Sequence, residues 1–163
     1  MTPYPDYHKP DPVWDILGCK SYEEYAKKFV VKAAFNANVP DEIRNAYSTI
    51  EYLMAHAYYH FKMYDEALVK MLATLETAIK LKSQLVGIAL TQQDAIRVKD
   101  KSAYQLLQEL NLKETNPELY KRILLLKVIR NDKSHSNKHT FMGGASVQVF
   151  PAFITYVNTL FPD

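Results

Sequence analysis

Residues 40–80 read PDEIRNAYSTIEYLMAHAYYHFKMYDEALVKMLATLETAIK, and the spacing of apolar side chains in this run decides the fold. Ile43, Ala46, Tyr47, Ile50, Leu53, Met54 and Ala57 recur at steps of three and four, the period of one face of an α-helix. Pro40 and Asp41 suit a helix start, where a missing N–H costs nothing and a negative charge meets the positive end of the dipole. After a joint around Phe61 to Tyr64, a second stripe follows through Leu68, Met71, Leu72, Leu75, Ala78 and Ile79. Glu66/Lys70 and Glu76/Lys80 have the four-residue spacing of helix-surface ion pairs. Two such stripes separated by a short joint predict a pair of helices packed as a hairpin.

Working outward, Ser21 and Glu24 have capping-box spacing, so a helix is expected from Ser21 through Tyr25, Phe29 and Ala33 and broken by residues 36–39. Before it, Pro3, Pro5, Pro10 and Pro12 disfavour helix. Residues 1–20 are therefore expected to form an extended proline-rich arm, pinned to the remainder by Trp14. Downstream, Gly87 and the polar run Gln92-Gln93-Asp94 interrupt the periodicity of residues 84–101, which reads as partly loop. A short helix is expected over Ser102 to Leu112, and Asn116-Pro117-Glu118 signals the next start.

The helix expected after Pro117 carries Tyr120, Ile123, Leu124, Leu126, Val128 and Ile129. Apolar residues on nearly every side predict a central position. Gly143-Gly144 separates it from a last helix with Phe150, Phe153, Ile154, Val157, Leu160 and Phe161, in which Pro151 fits only the first turn or a kink. No period-2 strand or internal repeat is evident. The expected fold is all-α: an up-and-down bundle of five or six helices forming one domain over residues 21–163, with the arm preceding it.

The chain has 163 residues, 48% of them hydrophobic and 12% aromatic, enough for one real core and incompatible with wholesale disorder. Twenty basic and 18 acidic residues give a formal charge of +2, so bulk electrostatics do not call for nucleic acid, and any RNA site would be local. The single cysteine, Cys19, leaves neither an intrachain disulfide nor a thiolate metal cluster. An N-terminus without an apolar signal core, and the lack of any apolar run near ~20 residues, point to a cytoplasmic protein without a membrane partner.

The chemistry is expected in Arg130-Asn131-Asp132-Lys133-Ser134-His135, which follows the apolar run 123–129. Arginine is a fixed positive fork suited to phosphate, and histidine is the side chain whose ordinary pKa allows proton transfer near neutrality. On a helix Asn131 and His135, four apart, share a face, so the amide could orient the imidazole. Arg130 and His135, five apart, lie roughly 140° from each other, so joint action needs a helix end, a kink or a second protomer.

Arg130, Asn131 and His135 resemble the signature of the HEPN superfamily (higher eukaryotes and prokaryotes, nucleotide-binding): arginine, a polar residue, a few variable positions, then histidine, in a late helix of an α-bundle. Ala57-Tyr58-Tyr59-His60-Phe61 through Glu66-Ala67-Leu68, and Leu75-Glu76-Thr77-Ala78-Ile79-Lys80, are similar to that family's helix pair. The likeness covers roughly residues 41–161. It implies a metal-independent endoribonuclease that needs no cofactor and acts as a homodimer, with two motifs facing one cleft. His135 would be the acid or base, Arg130 the phosphate clamp and Asn131 the orienting group, with Lys133 and Lys138 adding positive charge for the RNA backbone. Toxin–antitoxin or defence roles also belong to the family, so an antitoxin or other regulatory protein is an implied partner. Ser136 stands where one subgroup has a tyrosine, which argues against control by nucleotide addition there.

The alternative is a non-catalytic all-α module that binds a nucleotide, an RNA or a protein partner, with residues 130–134 serving only as a polar helix end. Glu76 could neutralise Arg130, although its spacing to Lys80 accounts for it as simply. His56/His60 and His135/His139 have metal-pair spacing, and Asp132/His135 has that of di-iron bundles, but the matching Glu-x-x-His contributions are missing. His56 and His60, among tyrosines, are expected to be partly buried and hydrogen-bonded. No Lys-Ser/Thr follows Gly143-Gly144, which excludes a P-loop, and no nucleophile-elbow sequence is present.

Overall fold

Segment by segment, local chemistry starts most of the helices, and side chains from elsewhere in the chain decide where one of them stops. A computed structural model describes residues 7–94, 96–135 and 144–163, with the backbone alone described at 127–135 and 144–147. The described residues form α1 (Val13–Ile16), α2 (Tyr22–Phe29), α3 (Asp41–His56), α4 (Lys62–Leu85), β1 (Thr91–Gln93), β2 (Val98–Asp100), α5 (Ala103–Glu109), α6 (Leu112–Thr115), α7 (Pro117–His135) and α8 (Gly144–Leu160). The class is all-α, as the periodicity predicts. Instead of five or six helices there are eight helical segments among the described residues, because one-turn pieces form at α1 and α6.

The α3–α4 pair packs as the apolar stripes require. Ile43, Tyr47, Ile50 and Met54 of α3 are buried, as are Leu68, Met71, Leu72, Leu75, Ala78 and Ile79 of α4. The helix at the centre is α4, which packs against α3, α5, α7 and α8. The expectation that α7 would be central is corrected: Leu119, Tyr120, Ile123 and Leu126 are buried, but Leu125 is 62% exposed, so α7 presents one face to the core and another outward. An apolar residue on every side of a helix does not force burial when the neighbouring helices cover only one face.

Three further differences have local causes. First, α2 starts as expected, with the Ser21 hydroxyl accepting from the Glu24 N–H, but it ends at Phe29 rather than Ala33. Beyond that point side chains take the carbonyls a helix would have used: Tyr64 donates to Phe29, Tyr47 to Val31 and Asn158 to Ala34. The β-branched Val30 and Val31 suit this extended path. Second, β1 and β2 pair antiparallel, Thr91 opposite Asp100 and Gln93 opposite Val98. Their residues are mostly exposed, which is why no alternating apolar pattern announces them. Third, Pro151 lies well inside α8. Its side is solvent-exposed, where water can satisfy the carbonyl deprived of a helical donor.

The N-terminal segment is not wholly extended. Asp11 accepts from the Val13 N–H, and Pro12 in helical φ/ψ precedes the single turn of α1. Trp14 is nonetheless the pin expected of it: only 1% exposed, it donates its Nε1–H to the Ala57 carbonyl at 2.8 Å. Its ring packs against Tyr25 and Phe29 at centroid distances of 4.5 and 5.1 Å. Arg44 ties the 36–39 turn to α3 through the Asn36 and Val39 carbonyls.

Ser102 and Gln105 form a full capping box at the start of α5. Replacing Ser102 by alanine should lower stability by about 1 kcal/mol in urea unfolding, because one helix N–H loses its acceptor; a change near zero would mean that water replaces the cap without loss.

Burial pushes the hydroxyls of Tyr25, Tyr47 and Tyr64 far above the ordinary tyrosine range, with nearby tyrosines adding to the effect at Tyr25 and Tyr64, and Glu51 at Tyr47. The unfolded chain loses these protons near pH 10, whereas the folded protein keeps them. Their contribution is fully present below about pH 10 and is lost as the pH rises above it. Stability measured by denaturant titration should therefore fall steeply above about pH 10, and Tyr25→Phe should flatten part of that fall.

Candidate functional site

The position of the Arg130–His135 segment follows from how α7 is anchored. Asn111, in the left-handed region at φ 54°, turns the chain into α6, and the Asn116 carboxamide then accepts from the Leu119 N–H to cap α7. Asparagine tolerates and serves both positions. Glu118 accepts from Arg122 at 2.7 Å. That carboxylate and the Tyr156 hydroxyl of α8 both hold the guanidinium above its ordinary pKa. Desolvation and a hydrogen bond to Tyr104 of α5 raise Tyr120. On the inner side, Ile123 and Leu126 line a narrow apolar cleft with Leu72, Leu75, Glu76 and Ile79 of α4.

These ties set the directions of the helices. Phe150 packs on Tyr64 at 5.4 Å, and Lys82 lies 5.8 Å from the Phe161 ring centroid, so α8 runs parallel to α4. Arg122 sits beside Tyr156 and Leu119 shares a groove with Thr159, so α7 runs antiparallel to both. The C-terminal end of α7 therefore travels toward the end of the bundle where Tyr64, Asp65 and Phe150 lie.

The structure places Arg130, Asn131, Lys133 and His135 within α7, and their side chains lie outside the described residues. Lys138, like His139, lies outside the described residues altogether. Because α7 stays helical through His135, the helix does not end before the motif. Asn131 and His135 occupy one face, and Arg130 stays about 140° from His135. Seven residues after Ile123, Arg130 falls in the same heptad register of α7 as Ile123.

His56 is half-buried at the end of α3, its Nδ1 3.1 Å from the Tyr52 carbonyl and its ring stacked on Tyr52 at 4.0 Å. His60 is exposed, so the expectation of two partly buried histidines holds only for the first. Among the described residues no group of three or more histidine, cysteine or carboxylate side chains could hold a metal ion. Cys19 is a buried free thiol. Among the described residues, no helix is long and apolar enough to cross a membrane. No protein-family model, curated protein or solved structure matches the chain.

One polar residue escaped the sequence reading. Asp65 is only 5% exposed and stands in α4 one heptad before Leu72 and two before Ile79. A charge in register with a buried apolar stripe is the signal of this burial in the sequence.

Proposed function

We propose that the chain is a metal-independent endoribonuclease of HEPN type, cleaving RNA through a site completed by a second copy of itself. The observation that carries this reading is the continuity of α7 through His135. An unbroken helix presents Asn131 with His135 on one face and Arg130 on another, so a single phosphate is best embraced by motifs from two protomers. A two-fold axis beside α7 brings the helix against its own copy and satisfies that demand symmetrically.

In the proposed reaction the RNA 2′-hydroxyl loses its proton and attacks the adjacent phosphorus, and the 5′-oxygen leaves and gains a proton. The products are a 2′,3′-cyclic phosphate and a free 5′-hydroxyl. His135 moves the proton. Arg130 stabilises the crowded, doubly negative phosphorane, where its planar fork matches two phosphate oxygens. Asn131 orients the imidazole, while Lys133 and Lys138 hold the flanking backbone.

The test is cleavage of a mixed RNA pool by purified protein in EDTA, with the ends of the products identified. Cyclic phosphate ends in the presence of chelator are the expected result. A folded protein that binds the pool but leaves it intact would replace this reading with that of a non-catalytic RNA-binding module. The self-association itself should bury ~800 Å² per protomer, the scale of a specific dimer.

A further inference from the structure

We propose that the groove between α2 and α3 is a stacking site for an unpaired guanine of single-stranded RNA. Tyr52 is the shelf for the base, Glu51 reads its edge and Lys32 meets its phosphate. None of these residues belongs to α7, and binding in the groove does not depend on cleavage at the α7 motif.

The groove follows from two side stripes. On α2, Tyr22 and Ala26 are four apart; on α3, Ser48, Tyr52 and Ala55 fall at steps of four and three, and residues so spaced share a helix face. The core face of α3 is a different one, carried by Ile43, Tyr47, Ile50 and Met54. With Lys32 and Glu51, the two stripes line one open groove of about 560 Å³, a size typical of sites for small organic ligands. The short side chains of Ala26 and Ala55 leave the room.

Its two ends differ in chemistry. Tyr25 donates to the Met54 carbonyl and Tyr47 to the Val31 carbonyl, so α2 and the segment after it run antiparallel to α3. Tyr22, Tyr52 and Ala55 therefore stand toward one end, and Ser48 and Lys32 toward the other. From Ala55 to Ser48 the groove is about 10 Å long, comparable with one nucleotide from the far edge of its base to its phosphate.

Tyr52 is 61% exposed and yet held in place. Its ring stacks on His56 at 4.0 Å, and His56 is itself tied to the Tyr52 carbonyl at 3.1 Å. One face of the ring is thus taken and the other is left for a second ring. On the α2 wall, Tyr22 is fixed by its contacts with Tyr25 and Tyr58, at 6.3 and 5.4 Å between centroids. Exposed rings that are already ordered lose little freedom when a base stacks on them.

The charges choose among flat ligands. Among the described residues neither Lys32 nor Glu51 is in an ion pair, and an uncharged apolar ring would match neither. A nucleotide matches both, its phosphate at Lys32 and the N–H groups of its base at Glu51. Guanine has two such donors side by side on one edge, which fit the two oxygens of a carboxylate. Uracil offers a single N–H between two carbonyls, and adenine and cytosine set an acceptor beside their amino group. A phosphodiester carries one negative charge, equal to that of Lys32; the free mononucleotide carries more and would bring the excess toward Glu51.

The test is an NMR titration of the 15N-labelled full chain with a short RNA holding one guanine among uracils, and with the same RNA holding uracil throughout. Both carry 2′-fluoro sugars, which lack the hydroxyl that attack on phosphorus requires, so binding is read without cleavage. The guanine RNA should bind more tightly by about tenfold or more, the scale of one bidentate base contact, and shift the amides of Tyr22, Ala26 and Tyr52. Tyr52→Ala should weaken binding by about fivefold or more, the lower end for a base stacked on an aromatic ring. Glu51→Gln should remove the preference for guanine and leave the uracil RNA bound as before.

Equal binding of the two RNAs, or unchanged binding in Tyr52→Ala shown folded by circular dichroism, would overturn the proposal. Guanosine monophosphate bound as tightly as the guanine RNA would overturn the assignment to RNA in favour of a free nucleotide. If Tyr52→Ala does not fold, the unsubstituted protein decides, because RNA-induced shifts that spare the groove would overturn the site. A parent protein that cleaves no RNA removes the ribonuclease reading and leaves each of these outcomes in force.

Discussion

RNA cleavage should fall by about two to four orders of magnitude when His135 is replaced by alanine, because proton transfer in the transition state then reverts to water. Arg130→Ala should cost roughly two to three orders, the scale of removing one preorganised charge from a developing oxyanion. Both variants need to be shown folded by circular dichroism, and the rates compared in EDTA on one RNA pool. The more informative result comes from mixing them. If each site takes Arg130 from one protomer and His135 from its partner, a heterodimer of Arg130→Ala with His135→Ala contains one site with both residues intact and one with neither. Random subunit exchange should then restore about a quarter of the parent rate. Two dead variants that stay dead when mixed would place Arg130 and His135 of one chain in the same site, against the 140° offset along α7.

The largest structural effect is expected at Trp14. Replacing it by alanine should cost about 3–5 kcal/mol in urea unfolding, the range for deleting a large buried aromatic ring. It also leaves the Ala57 carbonyl, which accepts the indole N–H at 2.8 Å, without that partner. A loss of this size is a large part of the ~5–15 kcal/mol that stabilises an ordinary domain, so the variant should be partly unfolded near body temperature. Far-ultraviolet circular dichroism is the suitable probe, since the chain's only tryptophan is removed. Trp14→Phe should recover most of the packing against Tyr25, Phe29 and Tyr64 while still lacking the hydrogen bond, and so cost less. A change below 1 kcal/mol in Trp14→Ala would mean that the arm docks without supporting the core.

The candidate site was legible as a motif and not as a place. Arg130, Asn131 and His135 stand out by residue type and spacing alone, because phosphate binding and neutral-pH proton transfer need those groups. Their level in the bundle depends on where Arg122 meets Tyr156 and where Ile123 meets α4, and no spacing along the chain contains those contacts. Asp65 was missed for the same reason. Its burial depends on the helices that cover α4, and a lone aspartate near a helix start reads locally as a favourable dipole partner.

Period and caps determined the elements: the three-and-four spacing from Ile43 to Ala57 and from Leu68 to Ile79, Ser21 and Ser102 as caps, and Asn116-Pro117 as a start. These are short-range effects, complete within a turn or two of backbone. Tertiary structure decided where α2 stops, since Tyr47, Tyr64 and Asn158 take its would-be carbonyls, and made α4 rather than α7 the centre. It also formed an exposed hairpin from mostly polar residues. Each of these outcomes depends on a partner many residues away or on local pairing without an apolar pattern, and a hydrogen bond or a buried face is worth its free energy only when that partner is in place.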